Sequence, residues 1–284
     1  MRRPARLAAV LLVIAAGCGS FSSSGDPTPA DAGADGVAPV EAGPPVPDGA
    51  PPDGAASDAG SGFCNVEGPK HDFCAAFDTV NDVTDGWTAE VLGPADPPAF
   101  ANIASSPPRS MRSAVRRAPD AGANVPISAL VYDAPFPTPM TGLPELRVQF
   151  ALFVEKADDA PRNAAIVGIE LDELVRLFLI KTSDAECRVS LTQGNTEYTL
   201  SGLSVPVGKW TRVGITVAAR PGPPPSTGLI TVTVGTDTVN VTPDVVGYKS
   251  LFRTGVGLAF ANPAGGDWTA YFDDVLIDGA KRTK

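Results

Sequence analysis

The chain has 284 residues, with 22 Lys and Arg against 32 Asp and Glu, a net charge of −10, and one histidine. An acidic balance of this size repels phosphate backbones, so nucleic acid is excluded as an expected partner. A single histidine excludes zinc sites built on several imidazoles, and the four cysteines show no close pair with finger spacing.

The chain opens MRRPARLAAVLLVIAAGCGS. Arg2, Arg3 and Arg6 form a basic start, and the apolar stretch from Leu7 to Gly17 is too short to span a bilayer, which needs ~20 residues. That layout predicts a secretory signal rather than a membrane helix. The AAGC boundary resembles the bacterial lipoprotein lipobox, in which the cysteine is acylated and becomes the new N-terminus. Ala15 departs from its commonest form, which has Leu at that position; a plain secretory signal with a chance Cys18 is the other reading. The resemblance implies a signal peptide over 1–17, lipidation of Cys18, and an exported protein held at an outer membrane or cell surface by the lipid bilayer. Removing 1–17 takes three arginines and no acid, moving the balance from −10 to −13.

Residues 18–62 hold the cysteine and a segment of Pro, Ala, Gly, Asp and Ser. Beyond Cys18 it has seven acids, no Lys or Arg, and Phe21 as its one aromatic. Such a composition cannot bury enough apolar area to offset the cost of ordering the chain, which predicts a disordered linker. As a flexible coil it would span roughly 35 Å, more with partial polyproline extension. The folded domain is then expected over 63–284.

Cys64 and Cys74 bracket the entry to that domain, CNVEGPKHDFC. In an exported protein they are disulfide candidates. Closing this short loop would stabilise the fold by ~2–3 kcal/mol in the chain-entropy model. Pairing of Cys74 with Cys187 is the alternative; under the first pairing Cys187 is a small buried hydrophobe.

Beyond the entry, helix periodicity is nearly absent. Short β-branched and aromatic runs recur at 128–134, 145–156, 164–171, 174–181, 187–193, 210–219, 228–235, 255–262 and 268–278, separated by Gly, Pro, Asp and Asn. Ile230, Val232 and Val234 alternate with Thr231 and Thr233, and Val213, Ile215 and Val217 fall on one face. That pattern places one side of each strand in a core and the other in water. At least nine strands, short connections and no helices predict an all-β fold of two packed antiparallel sheets.

The segments DFCAAFDTVNDVTDGW, SPPRSMRSAV, KWTRVGITV, GVGLAFAN and YFDDVLID, in this order, resemble concanavalin A-like (laminin G-type) jelly rolls, especially tethered bacterial lipoproteins. The resemblance implies a jelly-roll β-sandwich. The family holds glucanases, lyases, sugar-binding modules and structural domains, so it implies architecture and not activity. Many members carry a structural calcium joining the first and last strands. Asp78 and Asp273 lie at the matching places, and two carboxylates with loop carbonyls would suit that ion. The competing reading makes Asp273 and Asp274 charges on an edge strand.

GIELDELV at 168–175 decides the catalytic question at this level. Laminarinase-type glucanases of this fold place E-x-D-x-E or E-x-D-x-x-E on one strand, so that the two Glu flank the scissile bond. Glu170 and Asp172 match the first two positions, but Leu174 and Val175 stand where the third acid belongs. The stretch is therefore predicted as a hairpin tipped by Asp172 and Glu173. PELR at 144–147 nearly matches the R-x-E-L-R strand of alginate lyases, with Leu143 where Arg belongs, and their Q-I-H and Y-x-x-G-x-Y motifs are absent. Trp87, Trp210 and Trp268 are expected mostly in the core. Tyr132, Phe153, Phe178 and Tyr198 are available either for sugar stacking or for the core.

The sequence thus predicts a membrane-tethered, non-catalytic surface lipoprotein that binds carbohydrate or another envelope component. The alternatives are a divergent polysaccharide hydrolase or lyase of the same fold, and a purely structural envelope module.

Overall fold

The computed structural model describes residues 63–93, 95–116, 125–135, 145–158, 163–170, 174–219, 228–243, 251–260 and 266–280. By internal contacts the chain divides into 1–60 and 61–284. The expected signal peptide over 1–17, Cys18 and the expected linker lie outside the described residues, as do Asp172 and Glu173.

The alternation read from the sequence becomes strands. Two short helical turns, Phe63–Val66 and Gly68–Lys70, precede them at the domain entry. One antiparallel sheet takes β13 (Asp237–Val241), β12 (Gly228–Val234), β11 (Thr211–Ala219), β6 (Glu145–Ala157), β15 (Trp268–Ala280), β4 (Ser110–Val115) and β3 (Asp96–Ala101) in that order, with β1 (Phe73–Ala75) also paired to β15. The other takes β10 (Thr196–Pro206), β9 (Glu186–Gln193), β8 (Leu174–Ser183), β7 (Asn163–Glu170), β14 (Leu251–Phe260), β5 (Ile127–Pro135) and β2 (Ala89–Leu92). The expected all-β, two-sheet jelly-roll sandwich is the fold.

All nine predicted runs are strands. Of the strands the sequence did not reveal, β2, β3 and β13 are short and lie at sheet edges, where few residues are buried and little apolar alternation is left to read. In β12 the burial alternates without a break, with Ile230, Val232 and Val234 inside. The core closes between the sheets on residues such as Leu146, Val148 and Phe150 from one and Val175, Leu177 and Leu191 from the other. Each such side chain contributes roughly 1.5–3 kcal/mol by leaving water. Ser113 ties the layers: its hydroxyl donates to the Ser128 carbonyl at 2.5 Å and accepts from the Leu258 N–H at 3.0 Å.

Cys64 and Cys74 are joined by a disulfide with Cα atoms 5.7 Å apart, while Cys187 is a free, buried thiol. Burial pushes the Cys187 thiol up to about 11. Beside the disulfide, His71 contacts Asp278 of β15 at 2.7 Å, and Asp72 accepts a 2.8 Å hydrogen bond from the Gly279 N–H. Trp87 and Trp268 are core residues. Trp210 departs from the expected pattern. It is half-buried outside the core cluster, with its ring 5.6 Å from that of Phe153. Phe153 in turn lies 5.9 Å from Tyr271.

Candidate functional site

The sheet order sets the site. β14 runs between β7 and β5, so Arg253 has Glu170 as its register partner on one side and Asp133 on the other. Its Nε donates to Asp133 Oδ1 at 2.8 Å and its Nη2 donates to Asp133 Oδ2 at 2.9 Å. Its Nη1 lies 3.8 Å from Glu170 Oε2. The Asp133 carboxylate holds the Arg253 guanidinium above its ordinary pKa. These side chains are partly open to water, Glu170 being 27% exposed and Asp133 16%. Both oxygens of Asp133 are engaged by one guanidinium, which suits it to positioning. Glu170 is the more accessible acid.

Two residues further along β7 and β14 comes a strip without side chains. Gly255 pairs with Gly168, and Gly168 pairs with Arg176 of β8, which pairs with Thr192 of β9. These positions alternate with the core residues Ile169, Val175, Leu177, Leu191 and Val256, so they share the outer face of the sheet. A Cβ at Gly168 would meet nothing within 4 Å, and one at Gly255 would meet only Gly168 O at 3.8 Å and Val131 Cγ2 at 4.0 Å. Neither glycine has positive φ. Glycine inside a strand weakens it, and here neither packing nor backbone shape calls for it; a ligand approaching the backbone closely would.

Beside this strip, Phe178 and Ser190 are register partners on the same outer face, yet only 3% and 2% exposed. The Arg176 guanidinium stands 5.9 Å from the Phe178 ring centroid. The buried Arg176 Nε, Ser190 Oγ and Thr192 Oγ1 have no hydrogen-bond partner among the described residues. Burial lowers the Arg176 pKa.

A second polar cluster sits on the other sheet. Asp273 and Asp274 are buried at a register shift in β15, where Asp274 adopts φ 51°. β15 runs between β6 and β4, so the reading of these acids as edge-strand charges is corrected: both lie in a central strand. Asp273 Oδ2 accepts the Ser105 and Ser106 N–H groups, each at 2.9 Å, and its Oδ1 accepts the Asp274 N–H at 2.9 Å. Asp274 accepts from the Ser106 hydroxyl at 2.6 Å and lies 3.3 Å from the Arg212 guanidinium. Asp78 accepts the Arg109 N–H at 3.1 Å. Burial pushes Asp273 up to about 7, with the charges of Asp274 and Asp78 adding to it and the Ser106 and Asp274 N–H groups opposing. Asp78 and Asp273 therefore share an electrostatic neighbourhood. Among the described residues, no group of three or more His, Cys, Asp or Glu is arranged to hold a metal ion.

Of the carboxylates singled out in the sequence, Glu170 is the last residue of β7, on the outer face beside the turn. β7 and β8 do form an antiparallel hairpin, closing from Glu170 to Leu174. Of the four aromatics weighed for sugar stacking, Phe178 faces the site. Tyr132 packs against the core and stacks on Phe73, and Tyr198 also packs against the core. Phe153 is on the opposite sheet. Asp133, Arg176 and Arg253 escaped the sequence reading. The available signal was a charged residue at an outward position of an otherwise apolar strand, as in LVRLFLIK.

No protein-family model and no curated protein matches the chain. Among solved structures, it is similar to an alginate lyase from Chlorella virus (11% identity, 68% of this chain and 93% of that one, TM-score 0.44). It is also similar to a cellulose induced protein (13%, 73% and 97%, 0.47). A third is the catalytic domain of a glycoside hydrolase family 131 protein from Coprinopsis cinerea (14%, 74% and 94%, 0.45). The similarity is one of fold. The expectation of a non-catalytic domain is corrected on the site itself: Glu170 stands beside an Arg253 held by Asp133, so an incomplete glucanase pattern at Glu170 and Asp172 is no ground for excluding catalysis.

Proposed function

We propose that the chain is a polysaccharide-processing enzyme, a hydrolase or lyase, whose substrate lies along the outer face of β5, β14, β7, β8 and β9. One observation carries this reading: the accessible Glu170 carboxylate stands beside an Arg253 fixed by Asp133, next to the open Gly168–Gly255 strip. The strip admits a flat ring close to the backbone. Glu170 acts as a base beside the Arg253 guanidinium: in a lyase it takes the proton from the carbon α to a sugar carboxylate while the β-glycosidic oxygen leaves with a proton from water, and in a hydrolase it takes the proton of the attacking water while solvent protonates the leaving oxygen. General acid–base catalysis of this kind is worth about 10²–10⁴-fold in rate.

The test is a polysaccharide panel incubated with the purified full-length chain, scored for new reducing ends and for the ultraviolet absorbance of unsaturated ends. Turnover is expected on at least one member. Glu170→Gln should lower it by at least ~10²-fold while the melting temperature holds. Release of no ends from any polysaccharide, or full activity in Glu170→Gln, would overturn the assignment.

The reading extends to address and cofactor. The AAGC boundary and the linker behind it support export and a lipid anchor at Cys18, in the outer membrane or at the cell surface. Mass spectrometry of the mature N-terminus should find an acylated cysteine, and an unmodified N-terminus elsewhere would refute it. Asp78 and Asp273 support a structural calcium completed by carbonyl oxygens.

A further inference from the structure

We propose that Arg176 anchors an anionic substituent, a carboxylate or a sulfate ester, carried by the polysaccharide that occupies the outer face. This rests on the assignment of that face as the substrate site.

The two arginines of the face differ in their surroundings. Arg253 has Asp133 in a two-bond grip and Glu170 at 3.8 Å. Arg176 is half-buried, and its Nε has no acceptor among the described residues. A buried donor without an acceptor is costly, more so on a charged group, and the cost falls when a ligand supplies the acceptor. The neighbouring donors make the same demand. Thr192 stands across the register from Arg176, and Ser190 lies two residues along the same strand as Thr192; both hydroxyls are buried with no partner among the described residues. A cation and two hydroxyls on adjacent strands form a receptor for an oxyanion. The open backbone at Gly168, on the other side of Arg176, leaves room for the sugar ring that bears it.

A neutral sugar hydroxyl can accept one hydrogen bond but leaves the desolvated positive charge uncompensated. A carboxylate or sulfate does both, and the planar guanidinium fork matches it. Desolvation lowers the Arg176 pKa, the direction expected of a cation awaiting its counter-charge. The chain as a whole is acidic at −10, so it does not draw polyanions from a distance. Selection for an anionic glycan then falls to this local site.

The experiment measures binding of the full-length chain to a polyuronate, to a sulfated neutral-backbone glycan and to an uncharged β-glucan by calorimetry. Wild type is compared with Arg176→Gln and Arg176→Lys. One of the anionic glycans should bind at least about tenfold tighter than the uncharged one. The polyuronate and sulfated arms identify which oxyanion is read. Arg176→Gln should remove that preference, weakening the anionic glycan by about 10–100-fold and the uncharged one by much less. Arg176→Lys should fall between, keeping the charge without the fork. The melting temperature of Arg176→Gln should hold or rise, because a desolvated cation has been removed; a merely structural arginine would lower it.

Equal affinity for charged and uncharged glycans, an equal loss on all of them in Arg176→Gln, or binding to none would overturn the proposal. Preferential binding of an anionic glycan with no turnover would sink the catalytic assignment and leave the Arg176 anchor standing. Turnover confined to uncharged glucans would do the reverse.

Discussion

Arg253 and Asp133, 120 residues apart in the chain, meet across the β14–β5 register in two parallel hydrogen bonds of 2.8 and 2.9 Å. The pairing uses both carboxylate oxygens and leaves Arg253 Nη1 on the side of Glu170. Asp133 therefore acts through Arg253, and its removal should be felt at Glu170.

Asp133→Asn keeps the shape and removes the charge. Hydrogen bonds to charged groups are worth roughly 1.5–3 kcal/mol, and the lower end applies to a guanidinium that is 30% exposed. Urea unfolding should show a loss of that order. Turnover should fall further than such a destabilisation explains at temperatures where the variant is fully folded. Unchanged turnover in the folded variant would remove Asp133 from the positioning role.

Gly168 separates folding from function. Because a Cβ there meets nothing within 4 Å, Gly168→Val should fold normally and gain roughly 0.5–1 kcal/mol from the lost conformational freedom of glycine. The added branches would stand above the strip where the substrate ring is placed. We expect a raised melting temperature with weakened glycan binding. A stable variant that binds and turns over as wild type does would show that nothing occupies the strip.

Asp273 sets a pH dependence. Its folded-state value is raised from 3.8 to about 7, so between these values the native state holds a proton that the unfolded chain has released. Its contribution is fully present below the unfolded value and is lost as pH rises through about 7. In chelator, the urea midpoint should be lower at about pH 8 than at about pH 5, and Asp273→Asn should flatten that difference. If Asp78 and Asp273 share a calcium, millimolar calcium should raise the wild-type melting temperature at the higher pH and leave Asp273→Ala unmoved. The absence of any calcium-dependent shift would discard the ion.

The sequence by itself determined the layers. Alternation such as Ile230, Val232, Val234 states which side of a strand is dry, and enough such runs without helical spacing leave two antiparallel sheets as the arrangement that buries them. It also revealed the β7–β8 hairpin, because neighbouring runs in the chain pair locally. Only the tertiary structure decided the site. Alternation gives the face of a residue but not its cross-strand neighbour. That neighbour depends on sheet order, and β14 enters between β5 and β7 from far along the chain. Glu170 read alone is an acid near a turn; beside Arg253 and Asp133 it is part of a charged site. The same reason hid Arg176, whose cross-strand neighbours Gly168 and Thr192 come from the sheet pairing rather than from its own stretch of sequence. It also hid the central placement of Asp273, since a strand's position in a sheet is settled by long-range pairing.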